Sequence, residues 1–311
     1  MDYELLLQDR LGVIRQTNAI YNLLDNSYLS FSGGKDSTIL HYLLDIALPN
    51  NNIPRVYIDT GIEYRAIREF VMSLAEHDER FVIIKPSKPI KQVLETYGYP
   101  FKSKEHSLRV EQYNEGKNSN YIQKYISGID KKGKPTSFAC PKLLLYQFEN
   151  KGAYNYSNKC CLKLKKEPAK KWAKANNKTI ILTGMRKEEG GNRARLGCII
   201  TDKNGKLQKF HPLIVVDEEW ENEFIKHNNI KLCKLYYEPF NFKRTGCVGC
   251  PFSLTLENDL QIMEKFLPSE RKMCEMIWKP VYQEYRRLNY RLHNQEQLSL
   301  LNEIKEISDG N

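Results

Sequence analysis

The stretch Tyr28–Leu44, YLSFSGGKDSTILHYLL, constrains this chain more than any other. An apolar run gives way to serine, two glycines, lysine and aspartate, and then to a second apolar run with Leu40, Leu43 and Leu44 at helical spacing. The pattern predicts a strand, a tight loop and a helix. Glycines such as Gly33 and Gly34 let backbone N–H groups approach an anion closely. The N-terminus of the following helix favours negative charge, and Lys35 adds a formal positive one. Asp36 or Ser37 is placed to cap that helix. Ser32 to Ser37 therefore read as a phosphate cradle, although the run is neither G-x-x-x-x-G-K-[ST] nor G-x-G-x-x-G.

The same alternation continues. RVYIDTG and RFVIIKPS read as strands, IEYRAIREFVMSLAEH as a helix, and PIKQVLETYG as a short helix closed by Gly98. EPAKKWAKANN and KTIILTGM repeat the helix and strand further on. Strand–helix alternation of this kind predicts an α/β fold, a parallel twisted sheet flanked by helices. The expected plan is a helical N-terminal segment over 1–27 and a main domain over 28–255. A polar insertion, about 100–158, is expected to hold some helix, with LLLYQFE as one piece, and a charged, aromatic helical extension fills 256–311.

With 48 Lys and Arg against 38 Asp and Glu, the net charge is +10. Such a balance suits polyanions, nucleotides, tRNA or DNA, or simply a lysine-rich surface. The opening MDYELLLQDR is acidic without a long apolar region, and no apolar run nears the roughly 20 residues of a membrane helix. A cytoplasmic protein with no membrane partner is expected, its eight cysteines reduced thiols or metal ligands.

Four of those cysteines are paired in sequence: Cys160 with Cys161 in NKCCLKLKKEP, and Cys247 with Cys250 in KRTGCVGCPFS. Four thiolates can supply one tetrahedral site, and spacing alone leaves zinc and an iron–sulfur cluster both open. Cys233 and Cys274 lie in apolar surroundings and read as packing residues. Cys140, in SFACPK, reads either as a sulfur-carrying thiol or as a loop thiol with no role. Arg186 and Arg193, in LTGMRKEEGGNRA, are able to hold phosphate oxygens bidentately, or to form surface pairs with Glu188 or Glu189. Asp59 ends its predicted strand at the edge where α/β sheets bind ligands, so it can meet ribose, adenine or magnesium.

The run SGGKDS resembles the PP-loop of the ATP pyrophosphatase superfamily, and the resemblance extends beyond it. VYIDTGIEYRAIREFV, LTGMRKEEGGNRA and FHPLIVVDEEWENEFIKHNNI resemble the corresponding segments of the phosphoadenosine phosphosulfate (PAPS) reductase branch, over residues 20–255. It implies an adenine nucleotide alpha hydrolase-like, Rossmann-like domain that binds ATP, PAPS or adenylyl sulfate. Ser32, Gly33, Gly34, Lys35, Asp36, Ser37, Asp59, Thr60, Gly61, Gly184, Arg186 and Arg193 would line the nucleotide site. Lys35, Asp36 and Arg186 would carry the chemistry, with Mg²⁺. The CC…CxxC pattern is similar to the [4Fe-4S] signature of iron–sulfur members, which makes Cys160, Cys161, Cys247 and Cys250 the cluster ligands. Lys165, or else Lys163, would place a charge beside the cluster.

The reductases of this family attack sulfur with a cysteine in a C-terminal E-C-G-[LI]-H tail, whereas this sequence has no cysteine after Cys274. Three activities are then expected to compete. The first is ATP pyrophosphatase-type adenylation or thiolation of an acceptor such as DNA or tRNA, with a sulfur-donor protein. The second is sulfonucleotide reduction with a relocated nucleophile. The third is an idle nucleotide-binding module, which the intact loop argues against. A homodimer is compatible with all three.

Overall fold

A computed structural model describes residues 2–149 and 154–293. The chain divides into two compact units, one of Met1–Ser87 and Lys165–Gly246, the other of Lys88–Leu164 and the chain from Cys247 onward. Among the described residues no helix is long and apolar enough to cross a membrane.

The first unit holds a six-stranded sheet: β1 (Ser27–Ser30), β2 (Arg55–Ile58), β3 (Phe81–Ile84), β4 (Ile180–Leu182), β5 (Ile199–Thr201) and β6 (Leu207–Phe210). Its order is β3-β2-β1-β4-β6-β5. Every neighbouring pair is parallel except β5 with β6. The expected α/β class with a mostly parallel sheet is what forms. Helices cover the strands, so β1 is buried along almost its whole length. Tyr28, Val56 and Ala173 form one cluster, with Trp172 and Ile181 packed against it. Ala173 and Trp172 come from the helix Glu167–Ala175, which begins at a proline.

Helix Lys35–Ala47 buries Ile39, Leu40, Leu43 and Leu44, the expected stripe. Helix Tyr3–Tyr21 packs on it through Leu6, Leu11 and Ile14. The antiparallel β5–β6 hairpin did not follow from the alternation pattern. It turns through Asp202–Lys206 around KNGK, a turn signal available in the sequence.

The opposite ends of the strands differ in kind. At the amino end of β2, Arg55 is fully buried, with Nη2 2.6 Å from Asp45 and Nε donating to His41 at 3.1 Å. Burial and the Arg55 charge hold the His41 imidazole down at about 4. That closed network is structural. The carboxyl ends are where loops meet, and the chain runs from β1 outward to β3, then returns through β4 to the other side. This reversal between β1 and β4 is the place where open α/β sheets bind ligands.

The second unit is helical: Ile90–Tyr97, Lys104–Asn114, Asn120–Ser127, Leu256–Phe266, Pro268–Ile277 and Lys279–Arg287. The polar 100–158 stretch carries more regular helix than expected. His106 and Arg109 are buried within it, so two polar side chains take core positions. His106 is held by Tyr125 at 3.0 Å and Gln147 at 2.7 Å, while the Arg109 guanidinium lies over the Phe138 ring at 4.4 Å. The C-terminal extension is helical through Arg287, and its expected continuation beyond residue 293 lies outside the described residues.

Candidate functional site

The loop after β1 and the loop after β4 meet at the reversal point. A Cβ placed on Gly184 would stand 2.6 Å from the Asp36 carbonyl oxygen, so glycine is what lets the two backbones touch. Gly33 takes φ +73°, in the left-handed region, against Ile67 and Val71. Ser37 closes the cradle: its Oγ donates to the Gly34 carbonyl at 2.9 Å and accepts from the Ser32 N–H at 3.2 Å.

The cap differs from expectation. Gly34 is the N-cap residue, and neither Asp36 nor Ser37 caps the helix; both lie in its first turn. The Lys35 N–H instead donates to the Tyr236 hydroxyl at 3.0 Å, which pairs with Thr245 Oγ1 at 2.6 Å. A glycine cap has no side chain to reach the first-turn amides, so a residue 201 positions away does so.

Lys35 and Arg186 converge on one acid. Glu221, on the helix Glu218–His227, is fully buried. Its Oε2 lies 3.2 Å from Lys35 Nζ and its Oε1 3.2 Å from Arg186 Nε. Glu218 adds a contact to Lys35 at 3.3 Å, and Asp36 one to Arg186 at 3.5 Å. Arg186 also makes the expected pair with Glu188, at 2.5 Å. Burial pushes the Glu221 carboxyl well above the usual carboxylate range, and the Asp36 charge adds to this, while Arg186 and Lys35 act against it. No motif in the sequence singled out Glu221 or Tyr236. In EEWENEF the acids look alike, and only the helix phase relative to the buried Trp220 and Phe224 sets Glu221 apart.

Behind Arg186, the loop is fixed by β6. Thr183 Oγ1 lies 2.6 Å from His211 Nδ1, and burial then Lys209 hold that imidazole at about 4. Asp59 and Thr60 are buried where β2 ends, beside β1. Arg68 Nε donates to Asp59 at 3.1 Å, and Thr60 donates through N and Oγ1 to Glu63, at 3.1 and 2.6 Å. Gly61 turns the chain at φ +77°, and Lys165 Nζ lies 3.6 Å from Glu63. Arg186 is the arginine fixed at the loop, whereas Arg193 stands half-exposed on the turn Gly191–Arg195. A cleft of about 300 Å³ opens beside Lys35, lined by Glu218, Asn222, Tyr236, Tyr237 and Phe242.

The four paired cysteines belong to the second unit. Cys160 and Cys161 lie on the turn Lys159–Cys161, which runs into a π-helical stretch, Leu162–Lys166. The Cys160 thiol is pushed far up by its hydrogen bond with Cys161 and by burial, then by the charges of Cys161, Cys250 and Cys247. The Cys160 thiol therefore feels all three of the others. Among the described residues, no three His, Cys, Asp or Glu side chains converge on a single-ion site.

The Cys247–Cys250 loop is gripped from behind by its backbone. Trp278 Nε1 donates to the Val248 carbonyl at 2.9 Å, Tyr282 Oη to Gly249, Tyr285 Oη to Pro251 at 2.9 Å, and Arg291 to Pro251 at 2.7 Å. Gly249 sits at φ +56° with no room for a Cβ, which would meet Tyr282 Oη at 2.4 Å and Cys274 Sγ at 2.5 Å. Of the remaining cysteines, Cys198 is half-buried and the other three are packed away. Cys233 and Cys274 are buried as expected, and Cys140 is also buried, its thiol pushed up to about 11 by desolvation. It is not an accessible loop thiol.

Among solved structures, similarity is found to PAPS reductase of Candida auris, at TM-score 0.46 and 15% identity, covering 76% of this chain and 87% of that one. An FMN adenylyltransferase of Candida glabrata matches at TM-score 0.46 and 14% identity, covering 80% and 64%. NH3-dependent NAD synthetase of Campylobacter jejuni matches at TM-score 0.38 and 15% identity, covering 90% and 94%. An uncharacterized protein of Methanocaldococcus jannaschii is 23% identical over 263 residues, 82% of this chain and 48% of the relative. The chain thus spans about half the length of that relative. The phosphoadenosine phosphosulfate reductase domain matches residues 26–133 and 142–253, most of the chain and both of its loop–helix sites. The chain belongs to the phosphoadenosine phosphosulfate reductase domain family.

Proposed function

We propose that this protein is an adenine-nucleotide-dependent enzyme that activates an acceptor by adenylation or thiolation, in the manner of PP-loop ATP pyrophosphatases. The observation that carries it is the convergence of Lys35 and Arg186 on one buried carboxylate, where the β1 and β4 loops touch. Two cations gathered at a helix N-terminus suit the charge that develops on a pyrophosphate leaving group during in-line attack at an α-phosphate. Ser32 to Ser37 hold the phosphates in this reading, and Asp36 and Asp59 supply oxygens for Mg²⁺. Asp59, Thr60 and Gly61 line the nucleoside side. Gly184 admits the second loop, and Arg193 gives a further charge toward phosphate or acceptor. The net charge of +10 suits a nucleic-acid acceptor.

Cys160, Cys161, Cys247 and Cys250 fit a [4Fe-4S] cluster. Thiols that raise one another's pKa in this way suit a cationic centre that takes them as thiolates. Zinc held by the same four thiolates, with Zn–S near ~2.3 Å, is the alternative. Such a centre would tie the two cysteine segments into one rigid framework. Reduction of a sulfonucleotide by a relocated nucleophile gains little from the other thiols: burial raises Cys198 and Cys233, and pushes Cys140 and Cys274 up to about 11 and about 12.

Lys35→Ala tests the site. MgATP affinity is expected to fall at least ~10-fold and nucleic-acid-stimulated pyrophosphate release at least ~100-fold, with an unchanged circular dichroism spectrum. An unchanged rate and affinity would sink the assignment.

A further inference from the structure

Glu221 is an acid that the nucleotide reading does not itself require. Its side chain is fully buried, and cations meet both of its oxygens. It is held by charge, 3.2 Å from Lys35 Nζ and 3.2 Å from Arg186 Nε. Those are the cations that a phosphate group entering the cradle would take. Resting on the reading of Ser32–Ser37 as a nucleotide phosphate site, we propose that Glu221 is an internal counter-ion. It positions Lys35 and Arg186 for the incoming phosphate, competes with its oxygens, and takes up one proton from solvent when they prevail.

The surroundings of Glu221 set the sign. Helix Lys35–Ala47 presents Lys35 and Asp36 to it; the loop after β4 presents Arg186, which is shared with Glu188. Its own helix adds Glu218, an exposed acid that shares Lys35. His211 lies behind the same loop and is neutral above about pH 4. Two cations thus favour the ionised carboxylate, while desolvation and Asp36 outweigh them and hold its pKa up to about 8. When a phosphate dianion draws those cations to itself, desolvation of the buried carboxylate remains. An ionised acid left in that position has lost its partners, so the carboxyl takes a proton instead. At a pH where free Glu221 is ionised, the complex holds more protons than its separate parts, and nucleotide affinity must fall as pH rises. Phosphate ionisation works in the other direction and is complete above pH ~7.5, since phosphate esters have a second pKa near ~6.

The test is calorimetric titration of the full chain with MgATP between pH ~7.5 and ~8.5, in buffers of different ionisation enthalpy. The expected result is proton uptake on nucleotide binding that grows across this range, from a fraction of a proton toward one, with affinity falling as pH rises. Sulfate, which does not titrate in this range, should compete with MgATP and show the same uptake. Glu221→Gln is expected to abolish the uptake and flatten the pH profile. Binding of MgATP by the unmodified chain with no proton uptake overturns the inference alone, and needs no variant. Uptake that persists in Glu221→Gln also overturns it. Failure of both MgATP and sulfate to bind overturns the nucleotide site reading itself.

Discussion

The two charged clusters of this chain are built in opposite ways. Around Lys35, opposite charges interlock: two cations and a buried acid stand 3.2 Å apart on three separate elements. Around Cys160, like charges crowd: the thiols of Cys161, Cys247 and Cys250 all push its ionisation upward. Burying charge without a partner is costly, and the two regions meet that cost differently. The first supplies its own counter-ion. The second holds a thiol that its neighbours and burial keep protonated. Their scaffolds differ in the same sense. The loop at Lys35 is anchored by close backbone contact with Gly184, whereas the Cys247–Cys250 loop is gripped at its carbonyls by aromatic side chains.

The largest effect should come from breaking the crowded side. Cys247→Ser, purified without oxygen, is expected to lose an iron content of about four per chain and the associated absorbance near ~400 nm. Equal iron in variant and parent, or stoichiometric zinc in both, would dissolve the contrast. Next in size is Gly184→Ala on the interlocked side. The added methyl drives apart the loop backbones that hold Lys35 and Arg186 in register, and a displacement of this kind costs roughly 100-fold in turnover. A rate within twofold of the parent would mean that the backbone contact does not set the site. The smallest effect is expected from Tyr282→Phe, which strips the Gly249 carbonyl of its buried hydroxyl partner. Denaturant midpoints should report a loss of about 1–3 kcal/mol, with lowered retention of the metal. An unchanged midpoint would show that the grip on the cysteine loop is dispensable.

Much of the first region could be read without coordinates. SGGKDS lies between a strand and a helix as the apolar runs require, and TGMR follows β4. The strand order could not be read, because four-residue strands of similar composition do not encode their neighbours. The capping role assigned to Asp36 or Ser37 failed for a local reason: the chain is already helical at Lys35, which moves both residues into the first turn. Glu221 was hidden because an acid in an acidic, amphipathic helix is ordinarily solvated. Only its position beside Trp220 and Phe224 turns it inward. In the second region the cysteines announced themselves by spacing. Trp278, Tyr282, Tyr285 and Arg291 lie some 30 to 40 positions beyond the carbonyls they hold, and they looked like ordinary helix aromatics and surface charge.

By itself, the sequence determined the local chemistry: a glycine-rich turn able to cradle an anion, two pairs of cysteines, and apolar periods that make strands and helices. These follow from short-range sterics and from which residues can face water. Only the tertiary structure decided which distant groups complete each feature. Glu221 comes to rest between Lys35 and Arg186, and Tyr236 caps the helix of the loop. The Val248, Gly249 and Pro251 carbonyls find Trp278, Tyr282 and Tyr285. The physical reason is that a buried polar group must find a partner, and that partner is chosen by packing across the fold rather than by distance along the chain.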